Sequence, residues 1–181
     1  MVELAILRLL DRHRRVGPFT QRPEAATLRR HAVKIPPRFG GLSHQGTLIE
    51  EISVRFEAGR IVEAQAARGA EVLNKVLDTD AGARRLGEVA LVPHSSPISK
   101  SGILFYNTLF DENACCHIAL GQCYAKCMVD GDKLTPEQIA RQGGNKSLIH
   151  IDRMIGSSAI DIDGIRDDGG KVAVFRQGEW V

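Results

Sequence analysis

The sequence predicts an α+β fold, with a mixed or antiparallel sheet and packed helices. Three observations lead there: two strand–turn–strand patterns, helical periodicity between them, and no regular alternation of strands and helices that would build a parallel sheet. Ile49–Phe56 and Arg60–Ala66 flank Glu57-Ala58-Gly59, a hairpin with glycine at its turn. Ala159–Ile165 and Lys171–Phe175 flank Asp167-Asp168-Gly169-Gly170 as a second hairpin. Between them, Gly69 to Leu86 reads as helical, with Val72, Leu73, Val76 and Leu77 on one stripe and a break at Asp78–Asp80. Glu88–Val92 is a short strand stopped by Pro93, and a polar loop, 94–102, leads into Ile103–Phe110. Asp111 to Met128 reads as a helix that Asp111 caps and that ends before Gly131 and Pro136. Ser147–Ile155 alternates well enough to be a strand.

A boundary falls near residue 41. Residues 2–15 carry Val2, Leu4, Leu7 and Leu10 at roughly helical spacing, but Pro18, Pro23, Pro36 and Pro37 then break all periodicity. Residues 1–40 hold nine basic side chains against three acids, a net of +6; the remainder holds 15 against 19, a net of −4. An acidic body argues against a nucleic-acid-binding core, although a basic leader can touch a polyanion. The 181 residues, 43% hydrophobic and 25% charged, are globular in composition, without the long apolar run a membrane span needs. Four cysteines clustered between Cys115 and Cys127 do not form a disulfide framework, so a reduced, cytoplasmic setting is expected.

Three places carry candidate chemistry. On a strand, His150 and Asp152 project to one face, as a divalent-metal pair or simply as the polar side of that strand. On the expected helix, His117 and Tyr124 share a face two turns apart, with Glu112 at its edge; this suits a ligand beside an oxyanion donor, or a helix packed on the core. Glu88, followed by four apolar residues, is either exposed or a buried acid that requires a partner. Cys116, Cys123 and Cys127 also fall on one side of that helix, at spacings unlike structural zinc pairs, so a core role is favoured. The loop with His94 lacks a nucleophile elbow, and no complete glycine-rich phosphate loop occurs.

From Leu48 to Val181 the chain resembles the C-terminal, metal-binding half of the thermophilic aminopeptidases of the aminopeptidase T and S type. The resemblance rests on the runs Arg85–Ser99, Leu104–Ala114, His117–Gly121, Ser147–Asp152 and Phe175–Trp180. It implies a dinuclear site of cobalt, zinc or manganese that removes N-terminal residues from peptides, in a homodimer with no nucleic-acid or membrane partner. Residue by residue, Glu88, Glu112, His117, His150 and Asp152 match the family's ligand positions, and Tyr124 matches its active-site tyrosine. Glu88 is then expected to bridge the ions and relay a proton, and Tyr124 to stabilise the oxyanion. Asn107, Asn113 and the loop 95–101 are expected to support the ligands or line the pocket.

The chain also departs from that pattern. The family has a further ligand glutamate in a Thr-Glu-Glu-(apolar)-aromatic-Thr motif upstream of Leu42. Here Phe19-Thr20 is the nearest match, Val16-Gly17 stand where acids are expected, and Glu24 is the nearest carboxylate. The expectation is therefore two parts: a leader, 1–40, as a truncated or frame-shifted gene would produce, and a metal-binding domain, 41–181, with reduced activity. The alternative is an inactive fragment that acts as a binding or dimerisation module through apolar surface.

Overall fold

The computed structural model describes residues 47–57, 59–105, 107–166 and 168–181, and the backbone of strands at 3–8, 32–34 and 42–44. In chain order the strands are β1 (Glu3–Arg8), β2 (Ala32–Lys34), β3 (Leu42–His44), β4 (Thr47–Ile49), β5 (Ser53–Glu57) and β6 (Arg60–Gln65). After helix α1 (Ala70–Leu77) come β7 (Leu86–Ala90), α2 (Pro97–Ser101), α3 (Thr108–Asp111) and β8 (His117–Gly121). Helix α4 (Pro136–Arg141), β9 (His150–Met154), β10 (Asp161–Ile165), β11 (Lys171–Arg176) and β12 (Glu179–Trp180) complete the order. The fold is α+β. The strands form sheets β1-β10-β11-β12, β2-β5-β6, β3-β4 and β7-β8-β9, and every pairing but β1 with β10 is antiparallel.

Both expected hairpins form, as β5–β6 and β10–β11. Of the expected 2–15 helix, the described part, Glu3–Arg8, is instead a strand that pairs with β10; the rest lies outside the described residues. A lone short strand gains its stability from the neighbour it pairs with, and such tertiary pairing overrides weak local periodicity.

The larger correction concerns Asp111–Met128. That stretch is not one helix. Helix α3 ends in a 3-10 turn at Glu112–Ala114, the chain extends at Cys115 (φ −162°), and β8 follows. All five residues of β8 are buried, because it is the central strand between β7 and β9. Burial on both faces leaves β8 without the strict polar–apolar alternation of a half-exposed strand, so its residues can pass for part of a helix. Conversely α4 was not expected, although Thr135 and Gln138 build a reciprocal capping box around Pro136 at its first turn.

The core gathers Phe56, Ile61, Leu73, Leu77, Ile162 and Phe175, and Ile118 and Leu120 of β8 join it. One face of β7-β8-β9 therefore rests on the core, which leaves the opposite face for chemistry. The entry to β9 is tied down by Asp80, whose carboxylate accepts the Leu148 N–H at 2.6 Å and the Ser147 hydroxyl at 3.0 Å. Among the described residues no helix is long and apolar enough to cross a membrane.

Candidate metal centre

The register of β7-β8-β9 decides which side chains meet. Across the ladder, Glu88 pairs with Ala119 and Ala119 with Asp152; Ala90 pairs with His117, His117 with Met154, and Gly121 with His150. Residues opposite one another share a face, as do residues two apart on one strand. Glu88, His117, His150 and Asp152 therefore project from the face away from the core, around the methyl of Ala119. Glu112 joins them from the 3-10 turn that precedes β8.

The distances bear this out. Glu88 spans the two imidazoles, with Oε1 3.4 Å from His117 Nε2 and Oε2 3.4 Å from His150 Nε2. Asp152 Oδ1 lies 3.3 Å from His150 Nε2. Two triads can be drawn, Glu88–His150–Asp152 and Glu112–His117–Asp152, each with its donor atoms within 4.8 Å of one another. Asp152 belongs to both.

Each imidazole is aimed by its other nitrogen. His117 Nδ1 is 3.1 Å from the Cys115 carbonyl and His150 Nδ1 is 2.7 Å from the Gln122 carbonyl, so each Nδ1–H is donated to backbone and each Nε2 faces the cluster. Metal-ligating histidines are commonly fixed in this way. Gly87 makes the second bond possible, since a Cβ there would lie 2.2 Å from the Gln122 oxygen.

The electrostatics follow from crowding three carboxylates and two imidazoles. The imidazoles of His117 and then His150 hold the Glu88 carboxyl down at about 2. Asp152 and Glu88 lift His150 to about 10. Burial alone would push His117 down, but its contacts with Glu88 and the Cys115 carbonyl outweigh that and raise it. Glu112 is raised, first by burial and then by the charge on Asp152.

A divalent cation fits this donor set. His150 Nε2 and Asp152 Oδ1 are buried without a hydrogen-bond partner although they lie 3.3 Å apart, so their mutual geometry leaves both polar atoms unsatisfied. Two borderline nitrogens and three carboxylates suit zinc, cobalt or manganese.

All five residues matched to ligand positions come together, but His117 and Tyr124 do so without sharing a helix. Tyr124 lies on the loop after β8, half exposed, with its ring tilted at 50° and 4.5 Å from that of His150. The cysteines likewise share no helix: Cys115 and Cys116 are buried, Cys127 is exposed, and none joins the triads. Asn107 and Asn113 support α3 rather than the cluster; Asn107 Oδ1 accepts the Leu109 N–H and the Asn113 amide donates to the Leu109 carbonyl. Sequence reasoning missed Ala119, Gln122 and Gly87. Of these, only Gly87, a glycine inside a strand pattern, carried a local signal.

Comparison with known proteins gives one consistent answer. The model of the thermophilic metalloprotease family (M29) matches residues 40–180. The chain is 50% identical over 140 residues to Aminopeptidase 2 of Geobacillus stearothermophilus and 53% identical over 140 residues to Aminopeptidase T of Thermus aquaticus. In both cases the match covers 77% of this chain and 34% of the relative. The solved structure of wild-type AmpT from Thermus thermophilus is similar at a TM-score of 0.73 and 49% identity, over 83% of this chain and 36% of that one. The chain thus spans about a third of the length of the relatives it matches.

Proposed function

Since this chain belongs to the thermophilic metalloprotease family (M29), we propose that its cluster is the metal centre of an aminopeptidase that hydrolyses the first peptide bond of substrates with a free N-terminus. The observation that carries the reading is the convergence of Glu88, Glu112, His117, His150 and Asp152 on one sheet face as two triads joined at Asp152. The two curated relatives are named as aminopeptidases, and the solved one is AmpT.

Two ions are proposed, one held by Glu112 and His117 and the other by His150, with Asp152 and Glu88 shared between them. Cobalt, zinc and manganese all suit these donors. Such ions supply Lewis acidity toward the scissile carbonyl and lower the pKa of an attacking water toward neutrality. The protein's own groups do the rest. Glu88, whose two oxygens face the two imidazoles, fixes the spacing of the halves. The same carboxylate is the proposed relay for the water's proton. Tyr124 holds its proton, because burial and the charges on Asp152 and Glu88 raise its pKa, and so it can donate to a developing oxyanion.

The functional unit is assigned to residues 41–181. The described strands of the basic leader, β1 and β2, pair with β10 and β5 rather than with the sheet that carries the cluster. With no family-type glutamate motif upstream of Leu42, turnover by this chain alone is proposed to be weak. A homodimer is proposed through exposed apolar side chains such as Leu109 and Phe110, and a cytoplasmic setting from the unpaired cysteines.

The test is cobalt or zinc titration by calorimetry, with cleavage of Leu-p-nitroanilide, on the wild type and Glu88→Ala. Metal uptake with slow, metal-dependent cleavage that the variant loses is expected. A chain that takes up no metal and only self-associates contradicts the proposal.

A further inference from the structure

Between α4 and β9 the chain passes through Asn145, a half-buried residue outside the cluster whose hydrogen bonds run to the segments that build it. Its side-chain amide has two hydrogens, and both are engaged. Nδ2 donates to the Gly121 carbonyl at 2.6 Å and to the Gly82 carbonyl at 2.9 Å. Its backbone carbonyl accepts the Cys123 N–H at 3.0 Å. Asn145 therefore grips residues 121 and 123 at once, the first through its side chain and the second through its main chain.

The residue between these two grips is Gln122. Its carbonyl receives the Nδ1–H of His150 at 2.7 Å, and its Oε1 accepts the Ser147 N–H at 3.0 Å. Gln122 lies just past Gly121, where β8 ends, so an anchor beyond the strand is needed to hold that carbonyl. The anchor is itself fixed. A Cβ on Gly82 would lie 1.9 Å from the Lys146 carbonyl oxygen, so the 80–83 turn and the loop of Asn145 touch backbone to backbone. Asp80 of the same turn holds Ser147 and Leu148. The other half of the cluster is built without this knot. Glu112 comes from the 3-10 turn, and His117, at the opposite end of β8, is aimed by the Cys115 carbonyl.

We propose that Asn145 is a positioning residue of the metal centre: by bracketing Gln122 it sets the carbonyl that aims His150, and so controls the ion on the His150 side alone. It acts through its neighbours and is not one of the clustered donors. The inference rests on the metallopeptidase reading above and adds the residue on which one half of the centre depends. Partners of this outer kind, when removed, cost roughly 10–100-fold in metal affinity.

The test is cobalt titration by calorimetry on the wild type, Asn145→Ala and the milder Asn145→Ser, with the visible absorption of the bound cobalt recorded at saturation. Each variant should bind one of the two ions at least about tenfold more weakly, with a shifted absorption band, while the other ion keeps its wild-type affinity. Adding Glu112→Gln identifies the retained ion, because the double variant should lose it. Leu73→Ala, which truncates a buried side chain of α1, controls for lost stability: it should lower Tm and leave both cobalt affinities unchanged. Wild-type affinity and absorption in a folded Asn145 variant, equal weakening of both ions, or the same one-sided loss in Leu73→Ala overturns the positioning role. Failure of both Asn145 variants to fold overturns it too, since the residue is then purely structural. A wild type that takes up fewer than two cobalt ions instead brings down the two-ion reading, and the inference falls with it.

Discussion

Replacing Gly87 by alanine would set a methyl carbon 2.2 Å from the Gln122 carbonyl oxygen and 2.6 Å from that of Gly121. Both obstacles are backbone, so no side-chain rotation relieves them. To restore ordinary van der Waals spacing, the Gln122 carbonyl must retreat by roughly 1 Å. That carbonyl receives the Nδ1–H of His150 at 2.7 Å, and a shift of this size takes the bond outside hydrogen-bond range. Two costs follow. Overpacking should destabilise the fold by about 1–3 kcal/mol, and loss of the group that aims His150 should weaken metal binding by roughly 10–100-fold. The assay is cobalt titration by calorimetry on the folded variant, with thermal melting followed by circular dichroism. A Gly87→Ala protein with wild-type melting and wild-type metal affinity would refute both the close approach and its role in aiming the imidazole.

Asp152→Asn should abolish tight binding at both positions because the residue serves both triads, whereas Glu112→Gln should remove only one; metal analysis after dialysis distinguishes these outcomes. In chelator-treated protein, His150 is raised to about 10 from an ordinary 6.5, so its contribution to stability is complete below about pH 6.5 and fades as pH rises toward 10. Glu88 is lowered to about 2 from 4.5, so its contribution is complete above pH 4.5 and fades as pH falls toward 2. Melting temperature should therefore peak between these limits, and a curve that climbs from pH 6.5 to 10 would contradict the pairing. For the same reason a cation must displace a proton from His150 at pH 7, so binding heats should vary with the ionisation enthalpy of the buffer. Tyr124→Phe should cut peptide turnover by roughly 100-fold or more with little change in metal stoichiometry; unchanged turnover would remove Tyr124 from the reaction.

Much of the architecture was legible in the sequence because it is locally encoded. The β5–β6 and β10–β11 hairpins announce themselves through glycine-bearing turns between alternating segments. Strand β8 does not. His117 to Gly121 is buried on both sides, and acids at 111 and 112 precede it like the first turn of a helix. Only its partners, β7 and β9, distant in sequence, decide that it is extended.

The site shows the same division. The His150–Asp152 pair could be read from strand alternation, and Glu88, Glu112 and His117 stood out as candidates that the resemblance matched to ligand positions, yet the shared face comes from cross-strand register, which no local pattern encodes. Gln122 acts through its backbone carbonyl and Ala119 through its small size, so neither residue type advertises its part. Thr135 and Gln138, by contrast, spelled out a capping box that was there to be read.

The most direct test of the central idea, that five side chains from three strands and a turn form one cation-binding centre, is anomalous diffraction from crystals of this chain grown with cobalt. Two peaks are expected over the outer face of β7-β8-β9, one against Glu112 and His117 and one against His150, with Asp152 and Glu88 between them. Peaks elsewhere, such as at Cys123 and Cys127, or none on that face, would contradict it.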